Sequence, residues 1–390
     1  MRILEVSRYK NNFADHQLPF VTEQGEALRK AGCEVEYFLV RGNYVKAVGA
    51  LKAKIREYKP AVIHAHYGLS AITAELQGLV PVVTTFHNGE TLNPVVNFAS
   101  SLMSLRAMHV IYVAQHIRDL SYFKAKNYSI IPCGVNMEEC VVMDMAEARK
   151  QLGWDLGKKY ILFGGAFDNL RKNYKLLAEA VEILEENNKN NIENTDNTII
   201  TKKEESEPIG ISSNNFDPKS AQEQALGQPS AQSCSVSLVD SSEKNNSKNA
   251  KNDHADSKIE IVEMKGLSRA ECVLRMCGAD LFALPSHSEG SPQALKEAMV
   301  CNCPCLATDI ADVKYLFGDE PGHWVLRNPR KTHERWDADE KSLEEMVALL
   351  REALTYGKRT NGRQRILDLE LSNEQVAKRI IKIYEGIIGK

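Results

Sequence analysis

The feature that most restricts the fold is a repeated alternation of short apolar runs with amphipathic helical stretches. RILEVS, EVEYFLV, AVIHAH, VPVVTTF, HVIYVA and YSIIP are separated by segments such as TEQGEALRKAG and VKAVGALKAKIREY. Strands that alternate with helices cannot pair through tight hairpins, so they imply a parallel sheet covered by helices on both faces. The series then restarts: YILFGG, IEIVEM, LFALPS, CPCLAT and HWVL follow a break near residue 153. At 390 residues the chain exceeds the size at which one core stops growing. The reading is therefore an α/β protein of two doubly wound, Rossmann-like domains. We assign residues 1–152 to the first and 153–370 to the second, and we expect the helix at 371–390 to pack across the junction.

Composition enters where it excludes partners. With 49 basic and 52 acidic residues, a net charge of -3 gives no global attraction for nucleic acid. No apolar run reaches the roughly 18 residues that span a bilayer, and no signal-peptide core precedes the first charges, which implies a cytoplasmic protein. Nine cysteines, three of them alternating in CNCPCLAT, read as reduced thiols entering a buried strand. From about 187 to 256 the chain is rich in Asn, Ser, Lys, Glu and Gln and too poor in apolar residues to offset ordering, so an insert without fixed structure is expected. It leads into a strand at its amino end, whereas ligands of such sheets bind beyond the carboxyl ends, so it should hang away from the site.

The stretch SHSEGSPQALKEAM sets Glu289 and Glu297 eight positions apart around a Gly-Ser-Pro step. With Ser291 as N-cap and Pro292 as first helical residue, Glu289 precedes the helix and Glu297 lies more than a turn inside it. Roughly 7 to 8 Å of helix rise separates Pro292 from Glu297, too far for an acid and base acting on one atom. The pair suits two ends of an extended ligand, with the positive helix end between them facing an anion such as a diphosphate. Other candidates also follow strands: HAHYG, FHNGE and GGAFDNLRKN. His64 and His66 share one side of their strand, a spacing open to metal, but no acidic partner accompanies them and strand packing is preferred. VKAVGALKAKIREYK puts Val45, Val48, Leu51 and Ile55 on one face, with Lys46, Lys52, Lys54, Arg56 and Lys59 on the remainder.

IPCGVNMEE, FGGAFDNLRKNYKLLAEAVEIL and above all PSHSEGSPQALKEAMVCNCPCLATDIADV resemble the retaining glycosyltransferases of family four. The resemblance spans nearly all of the chain outside the insert, and its most specific element is an E-x7-E signature matched by Glu289 and Glu297. It implies a GT-B architecture, two such domains facing across a cleft. It also implies a metal- and cofactor-free transfer of sugar from a nucleotide diphosphate to a glycan or lipid-linked acceptor of the cell-surface polysaccharide type. By that resemblance His87, Lys172 and Glu289 carry the chemistry, while Arg171, Gly290, Ser291, Pro292, Gln293 and Glu297 hold the donor, Glu297 through its ribose. Where the family has an arginine six residues before the lysine this chain has Ala166, so either Arg171 substitutes or the diphosphate relies on the helix end and Lys172. Members with lipid-linked acceptors dock on membranes through basic first-domain surfaces, which makes peripheral anionic-lipid contact an expectation for the basic helix. Rival readings are a nucleotide-sugar epimerase on the same fold and a non-catalytic nucleotide-sugar binder.

Overall fold

A computed structural model describes residues 1–11, 15–204, 258–328 and 340–389. Six strands form the first sheet: β1 (Arg2–Arg8), β2 (Glu34–Val40), β3 (Val62–His66), β4 (Val82–Phe86), β5 (His109–Tyr112) and β6 (Tyr128–Ile130). Five form the second: β7 (Lys159–Phe163), β8 (Ile259–Glu263), β9 (Leu281–Leu284), β10 (Cys305–Thr308) and β11 (His323–Leu326). Every pairing is parallel, in the orders β2-β1-β3-β4-β5-β6 and β11-β10-β9-β7-β8. Both sheets are therefore doubly wound α/β units, as the alternation requires.

Side chains alternate across each sheet and so feed two layers of helix. On β1, Ile3 packs with Ala27 and Leu28 of helix Pro19–Lys30, whereas Leu4 and Val6 face Leu51 and Ile55 of helix Val48–Tyr58. On the second sheet, Leu162 and Phe282 meet Leu295 and Met299 of helix Gln293–Val300, while Ile161 and Phe163 meet Leu176 and Leu177 of helix Tyr174–Glu204. Cys301, Cys303 and Cys305 are buried free thiols in the same layer as Leu295 and Met299.

Residues Met1–Glu185 with Ser257–Lys390 form one compact unit and Glu186–Asp256 another. Of the expected insert, residues 187–204 continue helix Tyr174–Glu204, which is longer than the apolar spacing indicates. The rest of the stretch expected to lack fixed structure, 205–256, lies outside the described residues. The chain enters β8, the edge strand of its sheet, from Lys258 at the strand's amino end.

Helix Met145–Leu152, just before residue 153, packs on helix Arg269–Gly278 of the second sheet, and Arg149 bonds the Gly278 carbonyl and Asp280. At the other end, helix Asn373–Ile388 lies on helix Pro19–Lys30 of the first domain, with Val376, Ala377, Ile380 and Tyr384 buried. Among the described residues no helix is long and apolar enough to cross a membrane.

Candidate active site

In each sheet the chain first steps outward by one strand and then returns to the other side, so the order reverses between β1 and β3 and between β7 and β9. Loops on either side of such a point diverge and leave a crevice beyond the carboxyl ends. The Gly164–Asn173 and Pro285–Pro292 loops flank the second crevice, and the loops after β3 and β4 supply the facing wall. Between them lies a pocket of ≈ 380 Å³. His87, Arg171, Lys172, Glu289, Gly290, Ser291 and Gln293 line it; Pro292 and Glu297 do not.

The two walls touch closely. A Cβ on Gly290 would stand 2.4 Å from the His87 carbonyl oxygen, so a side chain there would push the domains apart. Nearby, the Asn88 amide donates to the Ser288 hydroxyl at 3.4 Å. The loop carrying His87 is tied from below by Glu90, whose carboxylate accepts from the backbone N–H of Gly68 and His87. Burial pushes the Glu90 carboxyl up to about 7.

Lys172 donates to Glu289 at 2.8 Å, and both side chains are largely buried. Helix Gln293–Val300 begins one residue later than the sequence indicates, with Pro292 as N-cap and no side-chain cap. The Ser291 hydroxyl, expected to cap it, instead donates to Asp312 at 2.7 Å and accepts from Lys296 at 3.1 Å. Lys296 is fully buried; its ammonium also donates to the Cys133 carbonyl, while Gln293 donates to the Gly134 carbonyl at 2.7 Å. The helix start is thus fastened to the chain segment that leaves the first domain. Sequence reasoning missed Lys296, because its carbonyl partner Cys133 is remote in sequence.

Glu297 turns away from the pocket wall and meets Arg269 at 3.0 Å. Arg269 also pairs with Glu23 of the first domain and lies 3.5 Å from Glu139, so one guanidinium gathers three carboxylates. Burial, only partly offset by Arg269, raises the Glu297 carboxyl to about 7. Arg269 was also missed; its one local signal was its place after the Ser268 capping box.

Behind His87 runs a buried chain of groups. Glu5 and His64 are register partners on β1 and β3, which supplies the acidic neighbour that the sequence reading found lacking for the two histidines. Glu5, His64 and His66 place ligating atoms within 4.8 Å of one another. The same atoms are engaged in hydrogen bonds: His64 to Tyr384 at 2.5 Å and Thr85 at 2.7 Å, His66 Nε2 to Glu5 within the cluster at 2.5 Å, and His66 Nδ1 to His87 Nε2 at 3.2 Å. A carboxylate at Glu5 accepts from His66 Nε2–H, so His66 Nδ1 accepts from His87 Nε2–H. This network assigns His87 Nδ1 as an acceptor; it lies 3.6 Å from the Cys133 thiol. Burial raises the Glu5 pKa, but His64 and His66 outweigh it and hold the group below the usual carboxylate value. Burial lowers His64 to about 3 and His87 well below the usual imidazole value, keeping both neutral.

Two parallel-sheet domains, with their carboxyl edges on one pocket, define the GT-B class of glycosyltransferase. The pattern described as Glycosyltransferase Family 4 matches residues 38–139, and that described as Glycosyl transferases group 1 matches residues 194–346. Between them these stretches take in more than half of the sequence, and the chain belongs to the family-four type of glycosyltransferase.

Sucrose-phosphate synthase from Thermosynechococcus elongatus shares the fold, with a TM-score of 0.65, 16% identity, and coverage of 100% of this chain and 99% of that one. Anabaena HepE in complex with UDP gives 0.63 at 11% identity over 99% and 100%. A local stretch of 43 residues is 46% identical to the putative teichuronic acid biosynthesis glycosyltransferase TuaC of Bacillus subtilis (strain 168) and spans 11% of each chain.

Proposed function

We propose that this chain moves a sugar, with retention of configuration and without a resident metal, from a nucleoside diphosphate to a glycan or glycolipid acceptor of a cell-surface polysaccharide. The observation that carries this reading is the Lys172–Glu289 pair opposite His87 in one pocket. An ammonium and a carboxylate side by side suit the two ends of a donor. Lys172, with Arg171 on the same wall, would take phosphate oxygens where negative charge grows as the glycosidic bond breaks. Glu289 would accept from sugar hydroxyls, and His87 Nδ1 would accept one more in place of the Cys133 thiol that lies 3.6 Å from it. Arg171 thereby serves where Ala166 lacks a charge. No protein nucleophile is required if the acceptor attacks from the leaving-group face and the diphosphate takes its proton.

Glu297 is proposed to hold the ribose, which would have to share its carboxylate with Arg269. The UDP named in the HepE structures makes uridine the first donor base to test, and the TuaC stretch supports a cell-wall polysaccharide as acceptor. Incubating the chain with radiolabelled UDP-sugars, with and without acceptor, tests the reading. Labelled product that forms only with acceptor and persists in EDTA supports it. Isomerised donor would identify an epimerase, and binding without turnover a sugar-nucleotide receptor. Activity that EDTA abolishes and manganese restores refutes the metal-free step.

A further inference from the structure

Tyr67 stands where a tyrosine is costly. It links β3 to helix Gly68–Glu75 with φ 69° and ψ 141°, close to a backbone region that only glycine enters freely. The conformation is held from both sides. Its N–H donates to the Thr85 carbonyl at 2.9 Å, and its own carbonyl accepts from the Ala71 N–H at 3.1 Å. Just beyond it, Gly68 is pressed on helix Pro94–Ser104 so closely that a Cβ there would stand 2.1 Å from that of Ser100. Glycine at position 67 would make the same turn without strain. What the chain gains from tyrosine is therefore its side chain.

That side chain goes to the cleft. Tyr67, Phe20 and His87 line the pocket on the first-domain side, each half-buried. The Tyr67 and Phe20 rings lie 4.8 and 4.7 Å from that of His87 and 6.4 Å from one another. Charge is divided between the walls. Arg171, Lys172 and Glu289 all stand on the second domain, whereas among the described residues no first-domain side chain lining the pocket carries a charge, His87 being held neutral.

We infer that Phe20 and Tyr67 seat the acceptor, and that the group they take is an uncharged sugar ring rather than a phosphate or a carboxylate. A pyranose presents C–H groups on its faces and hydroxyls at its rim. The negative face of an aromatic ring attracts the polarised C–H groups and opposes an anion. A phosphate set on this wall would lose water with no cation beside it, since the cations across the pocket are engaged by the donor. A ring stacked here would point its rim hydroxyls across the pocket toward the donor sugar at Glu289. This assignment rests on the transfer reading, which supplies that donor.

The test is saturation-transfer NMR on the full chain held in excess UDP, with methyl glucoside, methyl galactoside and methyl N-acetylglucosaminide as neutral probes and glucose 6-phosphate as the charged one. Saturation should reach the ring C–H protons of at least one neutral probe and exceed that on glucose 6-phosphate. Phe20→Ala and Tyr67→Gly should each weaken the neutral probe about tenfold, and Tyr67→Phe should keep it. UDP affinity, measured by calorimetry, should stay level in all three. Tyr67→Gly also relieves the strained turn, so its melting temperature should remain near that of the wild type and loss of the probe is not loss of the fold. Tighter binding of glucose 6-phosphate than of every neutral probe, no contact with any neutral probe in the UDP-bound chain, or variants that hold the probe as well as the wild type would each overturn the proposal while UDP binding keeps the transfer reading standing. A wild type that holds a neutral probe through these rings but ignores UDP would support the ring wall and count against the transfer reading.

Discussion

Replacing Glu289 and Glu297 one at a time by glutamine separates the two ends of the proposed donor. Each change keeps shape and removes a charge, but the surroundings differ. Glu289 neutralises Lys172 at 2.8 Å, with side chains 10% and 15% exposed, so Glu289→Gln releases an ammonium beside the proposed phosphate position. A hydrogen bond to a charged group contributes about 1.5 to 3 kcal/mol. Affinity for bare UDP should therefore stay level or rise by up to about tenfold, while transfer falls because the sugar loses its charged acceptor. Glu297→Gln removes the proposed ribose acceptor and one of the three carboxylates around Arg269. Affinity for UDP should drop by about ten- to a hundredfold. Calorimetry with UDP, beside transfer rates and melting curves, gives both numbers. Equal loss of UDP binding in the two variants would show that the carboxylates do not serve opposite ends of one ligand.

Three further outcomes are expected. Joining Glu186 to Lys258 by a short Gly-Ser bridge should leave UDP affinity and turnover near wild type, since Leu184 is the last core residue before the cut; a well-folded deletion with little turnover would place the insert at the site. Glu5→Gln should lower kcat while leaving UDP affinity intact, because His66 then loses the carboxylate that fixes the His87 tautomer; unchanged kcat would show that the buried network has no bearing on His87. Burial raises Glu75 to about 8, and its Oε1 has no partner. A carboxyl raised by folding favours the native state most below its unfolded pKa near 4.5, and that contribution is lost as pH climbs through the folded value. Glu75→Gln should therefore raise the melting temperature at pH 8.5 by several degrees and change it far less at pH 5; the reverse order would refute the assignment.

The two sheets were legible because parallel strands buried on both faces leave continuous apolar runs that no hairpin pattern imitates. That Glu289 and Lys172 stand at the pocket was legible for a related reason: their loops follow β9 and β7, the strands that flank the reversal in order. What escaped were groups whose meaning depends on a partner far along the chain. Glu5 is an ordinary strand residue until register places His64 beside it, and Arg269 is a surface arginine until Glu23 arrives from the other domain. The Ser291 cap failed because its hydroxyl is taken up by other partners, donating to Asp312 and accepting from Lys296.

The chain crosses between its two sheets on the way out at Val135 and on the way back at Ser372, and these two crossings are bonded to one another. Val135 donates to the Leu371 carbonyl at 2.9 Å, and Asn373 donates to the Val135 carbonyl at 2.9 Å. A Cβ on Gly134 would lie 2.5 Å from the Asn373 side chain, so the strands run in contact. Two ropes laced together make a door hinge: they resist sliding and twisting of the domains and leave a swing about their common line. Cleft opening about these crossings would accordingly be a rotation around their common line, with the last helix, anchored by Tyr384 on His64, as the pin that keeps the second rope taut.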